Sequence, residues 1–340
     1  ELPLEEYLYR VVPSEMPASY PKDALKAQAV SARTYAYHCM LHAAYPQYGA
    51  HLDDSTSFQV YNNIDENAAA TLAVKETYGE ILVTPGGEPA ELYYYSTSCG
   101  VGSDETVWKS LNSSEIPYLR AKSISESGMT GQDEDYLKSL QTEEGFADFI
   151  LSVHPGDFEC GESWYRWSYI VDRIDTAVIY ERLLQRQKIN FSRVLVYDLV
   201  LDDYLIAKID PFDQIYGIRM AKRGPGGVGE ELILDTSSGS YKVITEQNIR
   251  YVLNDGVSYV TRQDQKRVIM PKLLPSAFFT LEVEKENGFV VGYTIKGGGY
   301  GHGAGMSQNG AGNMARAGYS YGEILGFFYE ECVIQKLYEE

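Results

Sequence analysis

One carboxylate near the start of the chain has the surroundings that acid catalysis requires. Glu15 lies between Pro13 and Pro17 in the segment "VVPSEMP", directly before a predicted helix. A carboxylic acid that donates a proton near neutral pH needs a raised pKa, which a rigid, apolar and partly desolvated position provides. The alternative is a turn in which Ser14 and Glu15 cap the following helix. The local pattern alone leaves both interpretations open.

Two cations follow on a predicted helix over residues 21–44. Lys26 and Arg33 are seven residues apart and therefore point to the same side of that helix. A cation in contact with Glu15 would lower the pKa of that carboxyl and weaken it as an acid. We therefore interpret a functional Arg33 as a residue that orients substrate or the groups around it. A solvated or ion-paired helix face explains the same spacing.

Hydroxyl side chains cluster in the segment "YYYSTSCGVG", at the predicted end of a strand. Tyr95, Ser96 and Ser98 are candidates for lining a substrate pocket. A serine or cysteine nucleophile would need a histidine base, which no local motif supplies, and the GxSxG elbow is absent. The segment therefore favours binding over nucleophilic catalysis.

A glycine-rich stretch, "IKGGGYGHGAGMSQNGAG", precedes a predicted helix near the end of the chain. It lacks the lysine of a phosphate-binding loop and does not fit the G-x-G-x-x-G spacing. Its backbone must approach either a ligand or the protein itself very closely. In the first case His302, Ser307 and Gln308 are candidates for binding a neutral polar ligand such as a sugar. In the second, the glycines serve tight packing.

Metal binding has little support in the sequence. His38 and His42 are one helical turn apart, but an HxxxH spacing without the HExxH motif is weak evidence for zinc. The four cysteines are widely spaced and form no CxxC pair. We expect neither a metal nor another cofactor.

Composition excludes several classes of partner. The 340 residues carry a net charge of −19, which argues against binding to nucleic acid or to an anionic membrane surface. The 44% hydrophobic content is that of a soluble globular protein, and there is no run of about 18 apolar residues that would span a bilayer. The length predicts about two domains.

The order of predicted elements favours an α+β fold, because strands and helices are segregated. We expect a helical N-terminal segment, ended by Pro13 in its first helix, and C-terminal helices packed with antiparallel sheets in two lobes around a cleft. Asn287-Gly288 predicts a hairpin turn, and Ser320 with Glu323 predicts a capping box. The predicted domains are a core of residues 1–121 and 295–340, a mostly helical insertion over 122–190, and a mainly β subdomain over 190–294.

Four segments together resemble the stage II sporulation protein D family and its amidase-enhancer relatives. They are "LEEYLYRVVPSEMPASYPKDALKAQAVSARTYA", "AVKETYGEILV", "STSCGVGSDETVW" with "PYLRA", and "GYGHGAGMSQNGAGNMARAGYSYGEILGFFY". The resemblance implies a lytic transglycosylase that cleaves peptidoglycan strands, preferably strands without stem peptides. It also implies that Glu15 is the catalytic acid and base and that Arg33 is functionally important.

The same resemblance implies a location and partners. Family members act outside the cytoplasm, tethered to the membrane by an N-terminal segment that we expect to be absent from this chain. The expected partners are glycan strands, a cell-wall amidase and other membrane-bound sporulation proteins. A non-catalytic module that enhances an amidase is the alternative function.

The chain departs from the family pattern in three places. Tyr95 stands where a histidine usually precedes "STS", and Cys99 replaces the first of two usual glycines. Of a Cys/His cluster that holds zinc in some members, only His51 remains, so the resemblance does not imply zinc here. The chemistry needs only one carboxylate, since a transglycosylase can use the same group first as acid and then as base, whereas a hydrolase needs two.

Overall fold

The computed structural model describes residues 2–42, 45–53, 58–108, 116–131 and 133–338. The chain divides into two units. Unit 1 comprises residues 1–95, 117–120 and 305–340, and unit 2 comprises residues 96–116 and 121–304. Helices and antiparallel sheets confirm the predicted α+β class. The three predicted domains and the cleft between lobes stay predictions.

The α-helices of the described residues are numbered here in chain order. They are α1 (Leu4–Glu15), α2 (Lys22–His42), α3 (Ala68–Glu76), α4 (Glu134–Ser139), α5 (Glu143–Ile150), α6 (Thr176–Ile189), α7 (Glu246–Val252), α8 (Gln308–Arg316) and α9 (Tyr321–Phe328). The predicted helix over 21–44 is thus confirmed as α2, although residues 43–44 lie outside the described residues.

The strands are numbered in the same way. They are β1 (Glu80–Val83), β2 (Tyr94–Tyr95), β3 (Trp167–Val171), β4 (Val194–Asp198), β5 (Asp203–Leu205), β6 (Ile215–Arg223), β7 (Gly229–Thr236), β8 (Gly239–Ile244), β9 (Tyr259–Arg262), β10 (Arg267–Ile269), β11 (Phe279–Glu286), β12 (Phe289–Gly297), β13 (Met306–Ser307) and β14 (Val333–Lys336).

The core of unit 1 is formed by α1, α2 and α3. Alanine, a strong helix former, is the most frequent residue on the buried face of α2, and its short side chain lets α1 and α3 lie close to this helix. Leu8, Val11 and Val12 of α1 pack on this face together with Val74 of α3. This packing fixes the direction of α1 and therefore the position of its last residue, Glu15.

Pro13 does not end the first helix, contrary to the sequence-based prediction. It lies inside α1, which continues through Glu15 to a C-cap at Met16. A proline in the last turn removes one intrahelical hydrogen bond. The turn is nevertheless closed, because Met16 N–H donates to the Val12 carbonyl over 2.9 Å and Ser14 Oγ donates to the Arg10 carbonyl over 2.6 Å. Glu15 therefore lies at a helix C-terminus rather than in a loop.

A buried ion pair links α1 to α2. Arg33 is fully buried, and its Nε and Nη2 donate to the two carboxylate oxygens of Glu5 over 2.7 and 2.8 Å. The remaining N–H groups donate to Val74 O, Glu80 O and Thr77 Oγ1 over 3.1, 3.1 and 3.4 Å. All five guanidinium donors are thus used inside unit 1.

Two short strand pairs complete the part of unit 1 that matters for the site. Tyr94 and Tyr95 of β2 pair in parallel with Met306 and Ser307 of β13, which leads directly into α8. Strand β1 pairs with β14 in antiparallel register. Helix α9 begins with the predicted capping box between Ser320 and Glu323, which is confirmed.

Unit 2 contains two five-stranded antiparallel sheets, in the orders β10-β9-β3-β12-β11 and β5-β4-β8-β7-β6. The predicted hairpin is confirmed as β11 and β12, with Asn287 and Gly288 both at positive φ in the turn. The apolar faces of both sheets contribute to one large core with residues of α5, α6 and α7.

The insertion over 122–190 is less helical than predicted. It contains α4, α5 and α6, but the segment "WSYIV" forms β3 in the middle of a sheet. The physical reason is a period of two, since Trp167, Tyr169 and Val171 alternate into the core.

Elsewhere, no described helix has both the length and the hydropathy of a membrane span.

The Glu5–Arg33 pair predicts a large effect on stability. Arg33→Ala leaves Glu5 buried and unpaired, so we expect the free energy of unfolding to fall by about 3–5 kcal/mol. Chemical denaturation measures it. Lys22→Ala is the control, because Lys22 pairs with Glu76 at the solvent-exposed surface and its loss should leave the free energy of unfolding nearly unchanged. A folded, fully stable Arg33→Ala protein without activity would instead indicate direct contact with substrate.

Candidate active site

Glu15 occupies a position that disfavours a negative charge. It is the last residue of α1, where the carbonyl ends of the helix carry partial negative charge. Its side chain is half-buried beside the apolar core of unit 1. Burial raises the pKa of the Glu15 carboxyl above its ordinary value. The proline bracket seen in the sequence therefore corresponds to a partly desolvated carboxyl at a helix end.

Three hydrogen-bond donors converge on this carboxyl. The Val60 N–H donates to Glu15 Oε1 over 2.6 Å. The side chains of Gln308 and Tyr94 also form hydrogen bonds with the carboxyl. These bonds act against burial and lower the pKa, but burial is the larger effect and the net shift is upward. All three donors are uncharged, so the site can stabilise the carboxylate without holding it permanently ionised.

Tyr94 is oriented toward Glu15 by a buried amide. Gln59 is fully buried, and its Nε2 donates to the Tyr94 hydroxyl oxygen over 3.0 Å and to the Ala32 carbonyl over 3.1 Å. Its Oε1 accepts from the Tyr7 hydroxyl over 3.2 Å. Since the Tyr94 oxygen accepts from Gln59, its own proton is available for Glu15. Burial, and next the Glu15 charge, raise the pKa of Tyr94 well above its usual value, so it stays a donor.

Gln308 reaches the site through the glycine-rich stretch. Gly305 has a positive φ, and a Cβ there would lie 2.0 Å from the Tyr93 carbonyl oxygen. The glycine thus lets β13 lie against β2, and α8 begins immediately afterwards with Gln308. Ser307 caps α8, its Oγ accepting from the Gly310 N–H over 3.3 Å. At this point the glycines serve close backbone packing, the second of the two sequence-based interpretations.

The predicted site residues Arg33 and Lys26 are held away from the acid by other partners. The N–H groups of Arg33 donate to Glu5 and to neighbouring groups, and Lys26 Nζ lies 2.6 Å from the Glu76 carboxylate. Both contact α3, as their shared helix face predicted. No cation is among the described groups that shift the pKa of Glu15. We therefore interpret Arg33 as a residue that positions α1, and its predicted catalytic role stays a prediction.

Tyr95, in unit 1, lies next to Tyr94 but on the other side of the strand, because successive side chains of a strand alternate. It is buried and is not among the described groups that shift the pKa of Glu15. Its strand partner is Ser307, which is also buried. The substrate-binding roles of Tyr95 and Ser307 stay predictions.

The remaining predicted residues belong to unit 2. Ser98 is buried, and both its N–H, over 2.9 Å, and its hydroxyl donate to the carboxylate of the fully buried Glu159. Ser96 Oγ lies 3.1 Å from Thr97 Oγ1. The ring of His302 packs on Trp108 at 4.8 Å between centroids, and its Nδ1 accepts from the Ala304 N–H over 3.2 Å. Their roles toward substrate stay predictions.

Two histidines of α2 are the candidates for metal ligands that the sequence offers. His38 and His42 stack on each other at 4.3 Å between ring centroids, and His42 Nδ1 lies 2.9 Å from the His38 carbonyl. No group of three or more His, Cys, Asp or Glu side chains in the described ranges could hold a metal ion. Residues 54–57, which follow His51 in the segment where the resemblance implies zinc ligands for other family members, lie outside those ranges.

Three members of the site escaped the sequence-based interpretation. Tyr94 was hidden by its neighbour, because only the strand alternation of "YYYSTS" separates the two tyrosines, and the family pattern pointed to Tyr95. Gln59 and Val60 lie in a stretch without regular secondary structure, and long-range packing brings them to Glu15. No periodicity or motif marks such residues.

Comparisons with known proteins agree with the resemblance seen in the sequence. Residues 1–83 match the family model described as "Stage II sporulation protein". The chain is 28% identical to the amidase enhancer of Bacillus subtilis (strain 168) over 319 residues, which are 94% of this chain and 39% of that protein.

Two further relatives extend the comparison. An uncharacterized protein of Brachyspira hyodysenteriae is 28% identical over 331 residues, covering 97% of this chain and 66% of that protein. The stage II sporulation protein D of Bacillus subtilis (strain 168) is 38% identical over 135 residues, covering 35% of this chain and 38% of that protein. The chain therefore matches between 38% and 66% of the length of these relatives.

The hydrogen bond from Tyr94 predicts a specific shift in the pKa of Glu15. Tyr94→Phe removes a donor that stabilises the carboxylate, so the pKa of Glu15 should rise further, by about one unit if the bond contributes about 1.5 kcal/mol. NMR titration of the Glu15 side-chain carbon measures it. Tyr95→Phe is the matched control and should leave that pKa unchanged. A lower or unchanged pKa in Tyr94→Phe would contradict the assigned hydrogen bond.

Proposed function

We propose that this chain, which belongs to the stage II sporulation protein D and amidase-enhancer family, is a lytic transglycosylase acting on peptidoglycan. Membership of the family supports a role at the cell wall. The observation that carries the finer proposal is the environment of Glu15, a carboxyl with a raised pKa that is held by three uncharged donors. The proposed substrate is the bond between N-acetylmuramic acid and N-acetylglucosamine in strands without stem peptides.

In the first step Glu15 acts as a general acid. Its proton passes to the glycosidic oxygen as the bond from that oxygen to C1 of the muramic acid residue breaks. Burial favours the protonated carboxyl before the step, and charge develops on the sugar as an oxocarbenium-like state forms. The carboxylate left behind accepts hydrogen bonds from Val60, Gln308 and Tyr94, which limit the cost of its charge.

In the second step the same carboxylate acts as a general base. It takes the proton of the 6-hydroxyl of the muramic acid residue while that oxygen forms a bond to C1. The product is a 1,6-anhydro sugar, Glu15 is protonated again, and no water is consumed. The raised pKa of Glu15 supports this cycle, because the group must regain the proton that it gave away.

The surroundings of Glu15 support a mechanism with one carboxylate. A glycoside hydrolase places two carboxyl groups within about 5–10 Å of each other. The negative charge of one then raises the pKa of the other. The pKa of Glu15 is shifted by burial and by three described groups, which are the Val60 N–H, the Gln308 amide and the Tyr94 phenol. None of these is a second carboxyl, which agrees with a mechanism in which Glu15 acts first as acid and then as base.

A second candidate function is enhancement of a cell-wall amidase. The match to the amidase enhancer spans 94% of this chain, further than the match to the sporulation protein D. We propose such an amidase as the protein partner. The same proposal includes a location outside the cytoplasm, where both the glycan strands and the amidase would be met.

Replacement of Glu15 tests the transglycosylase proposal. Glu15→Gln keeps the size of the side chain but removes its proton transfer, so turnover of peptide-free glycan strands should fall by about 10²–10⁴-fold. Mass spectrometry of the digests measures 1,6-anhydro ends. Glu6→Gln is the matched control, since Glu6 is an exposed glutamate of the same helix and should leave turnover unchanged. Equal product yields from all three proteins would contradict the proposal.

The two candidate functions separate in a mixed assay. If the chain acts by enhancing an amidase, stimulation of that amidase on intact peptidoglycan should be the same with native protein and with Glu15→Gln. If the chain acts through its own glycan cleavage, Glu15→Gln should stimulate no more than buffer. Release of stem peptides over time is the measurement.

The raised pKa of Glu15 also predicts a pH dependence. The acid step needs the protonated carboxyl, so turnover should decline as pH rises through the raised pKa. Stability has the same sign, because the folded state binds this proton more tightly than the unfolded state and loses that advantage as pH rises. Glu15→Gln should therefore be more stable than native protein at pH values above the raised pKa of Glu15. It should gain no stability at pH values below the ordinary pKa of a glutamate. Thermal unfolding across pH measures the difference, and a stability gap confined to low pH would contradict it.

A further inference from the structure

Unit 2 contains a polar cavity of about 470 Å³ that the proposed reaction does not use. This volume is of the size that small-molecule sites have. The cavity lies within the segment predicted from the sequence to be an insertion, beside the polar stretch "SISESGMTGQDED". Its lining is formed by Ser123, Ser125, Ser127, Asp133, Tyr136, His154, Pro155, Gly156 and Asp157.

The walls of this cavity are held in place by hydrogen bonds within unit 2. Ser125 and Asp157 form an antiparallel bridge, and the Phe158 N–H donates to the Ile124 carbonyl over 3.0 Å. On the serine side, the Gly128 N–H donates to Ser125 Oγ over 3.2 Å. The two walls are thus joined before any ligand arrives, which reduces the ordering cost of binding.

Three polar groups at the cavity keep unused hydrogen-bonding capacity. Ser123 is only 5% exposed, yet its hydroxyl makes no hydrogen bond within the described residues. Asp133 Oδ2 accepts from the Ser123 N–H over 2.7 Å, and Asp157 Oδ2 accepts from the Tyr165 hydroxyl over 2.6 Å. The second oxygen of each carboxyl has no such partner in the described part of the chain. All three residues line the cavity, so these oxygens can form hydrogen bonds with a ligand that enters it.

The chemistry of the lining selects the class of ligand. No lysine or arginine lines the cavity, and two carboxyls do, so a phosphate or a carboxylate would be repelled. Carboxylate oxygens accept hydrogen bonds from hydroxyl and amide N–H groups, and serine hydroxyls donate and accept them. The ring of Tyr136, which is 40% exposed, offers an apolar surface for the C–H face of a sugar.

We propose that this cavity binds one uncharged N-acetylated amino sugar of a glycan strand, through Ser123, Asp133 and Asp157. The preference for a neutral, hydroxyl-rich ligand follows from the cavity, whereas the choice of an N-acetylated sugar rests on the proposed function. The site lies in unit 2, which would therefore bind a glycan strand through its own residues. It discriminates against a muramic acid residue whose lactyl carboxylate is free.

The experiment is a binding titration with defined sugars on the full chain carrying Glu15→Gln, so that no cleavage occurs. N,N′,N″-triacetylchitotriose should change the amide NMR signals of residues 123–131 and 154–157, and free N-acetylmuramic acid should bind there more weakly. Asp157→Asn and Ser123→Ala, each added to Glu15→Gln, should weaken binding of the trisaccharide by about tenfold, the effect of losing one hydrogen bond. Asp135→Asn, an exposed change on α4 outside the lining, is the matched control.

The variants are chosen to fold. Asparagine at 157 can still accept from Tyr165, and the Ser123 hydroxyl supports no described contact, so Ser123→Ala decides if Asp157→Asn is unstable. Trisaccharide binding that both variants leave unchanged would overturn the proposal, as would signals that respond only to a free amine such as glucosamine. The proposed function is tested separately: native protein that releases no anhydro ends while the trisaccharide binds here would refute the reaction but not the site.

Discussion

The proposed reaction depends on a balance at one carboxyl, which must be neutral before bond cleavage and charged immediately after it. Partial burial at the end of α1 favours the neutral form of Glu15, while Val60, Gln308 and Tyr94 donate hydrogen bonds that stabilise the charged form. Bonds to a charged group contribute about 1.5–3 kcal/mol each. Stronger burial would trap the proton, and a cation would trap the charge. Neutral donors avoid both extremes.

The scaffold of unit 1 maintains this balance by keeping its charges apart. The fully buried Arg33 donates all its hydrogen bonds to Glu5 and to carbonyl and hydroxyl groups. It therefore holds α1 in place without contacting Glu15. Gln59, also buried, sets the direction of the Tyr94 hydroxyl. The close contact at Gly305 lets β13 pair with β2, which brings Tyr94 and Gln308 to the same carboxyl. Stability and chemistry thus use different residues of the same helices.

Local patterns predicted the features that short segments determine. The helix predicted over 21–44, the Asn287-Gly288 hairpin and the Ser320 capping box each depend on neighbours in the chain, and each is confirmed. Pro13 was misjudged because propensity places proline at a helix stop, whereas bonds around Met16 and Ser14 close the last turn. Tyr94 and Gln59 could not be identified, because their roles arise from strand alternation and from contacts between distant segments. The hydrogen bonds of Glu15 with Val60, Gln308 and Tyr94 form only when the chain has folded.

The central claim is that Glu15 alone serves as acid and then as base, so that an internal hydroxyl and not water attacks the sugar. Digestion of peptide-free glycan strands in water labelled with oxygen-18 tests this directly. The account predicts new ends that carry no label and have the mass of an anhydro sugar, formed only when Glu15 is intact. Incorporation of one labelled oxygen at each new reducing end would contradict it, because hydrolysis would then be the reaction.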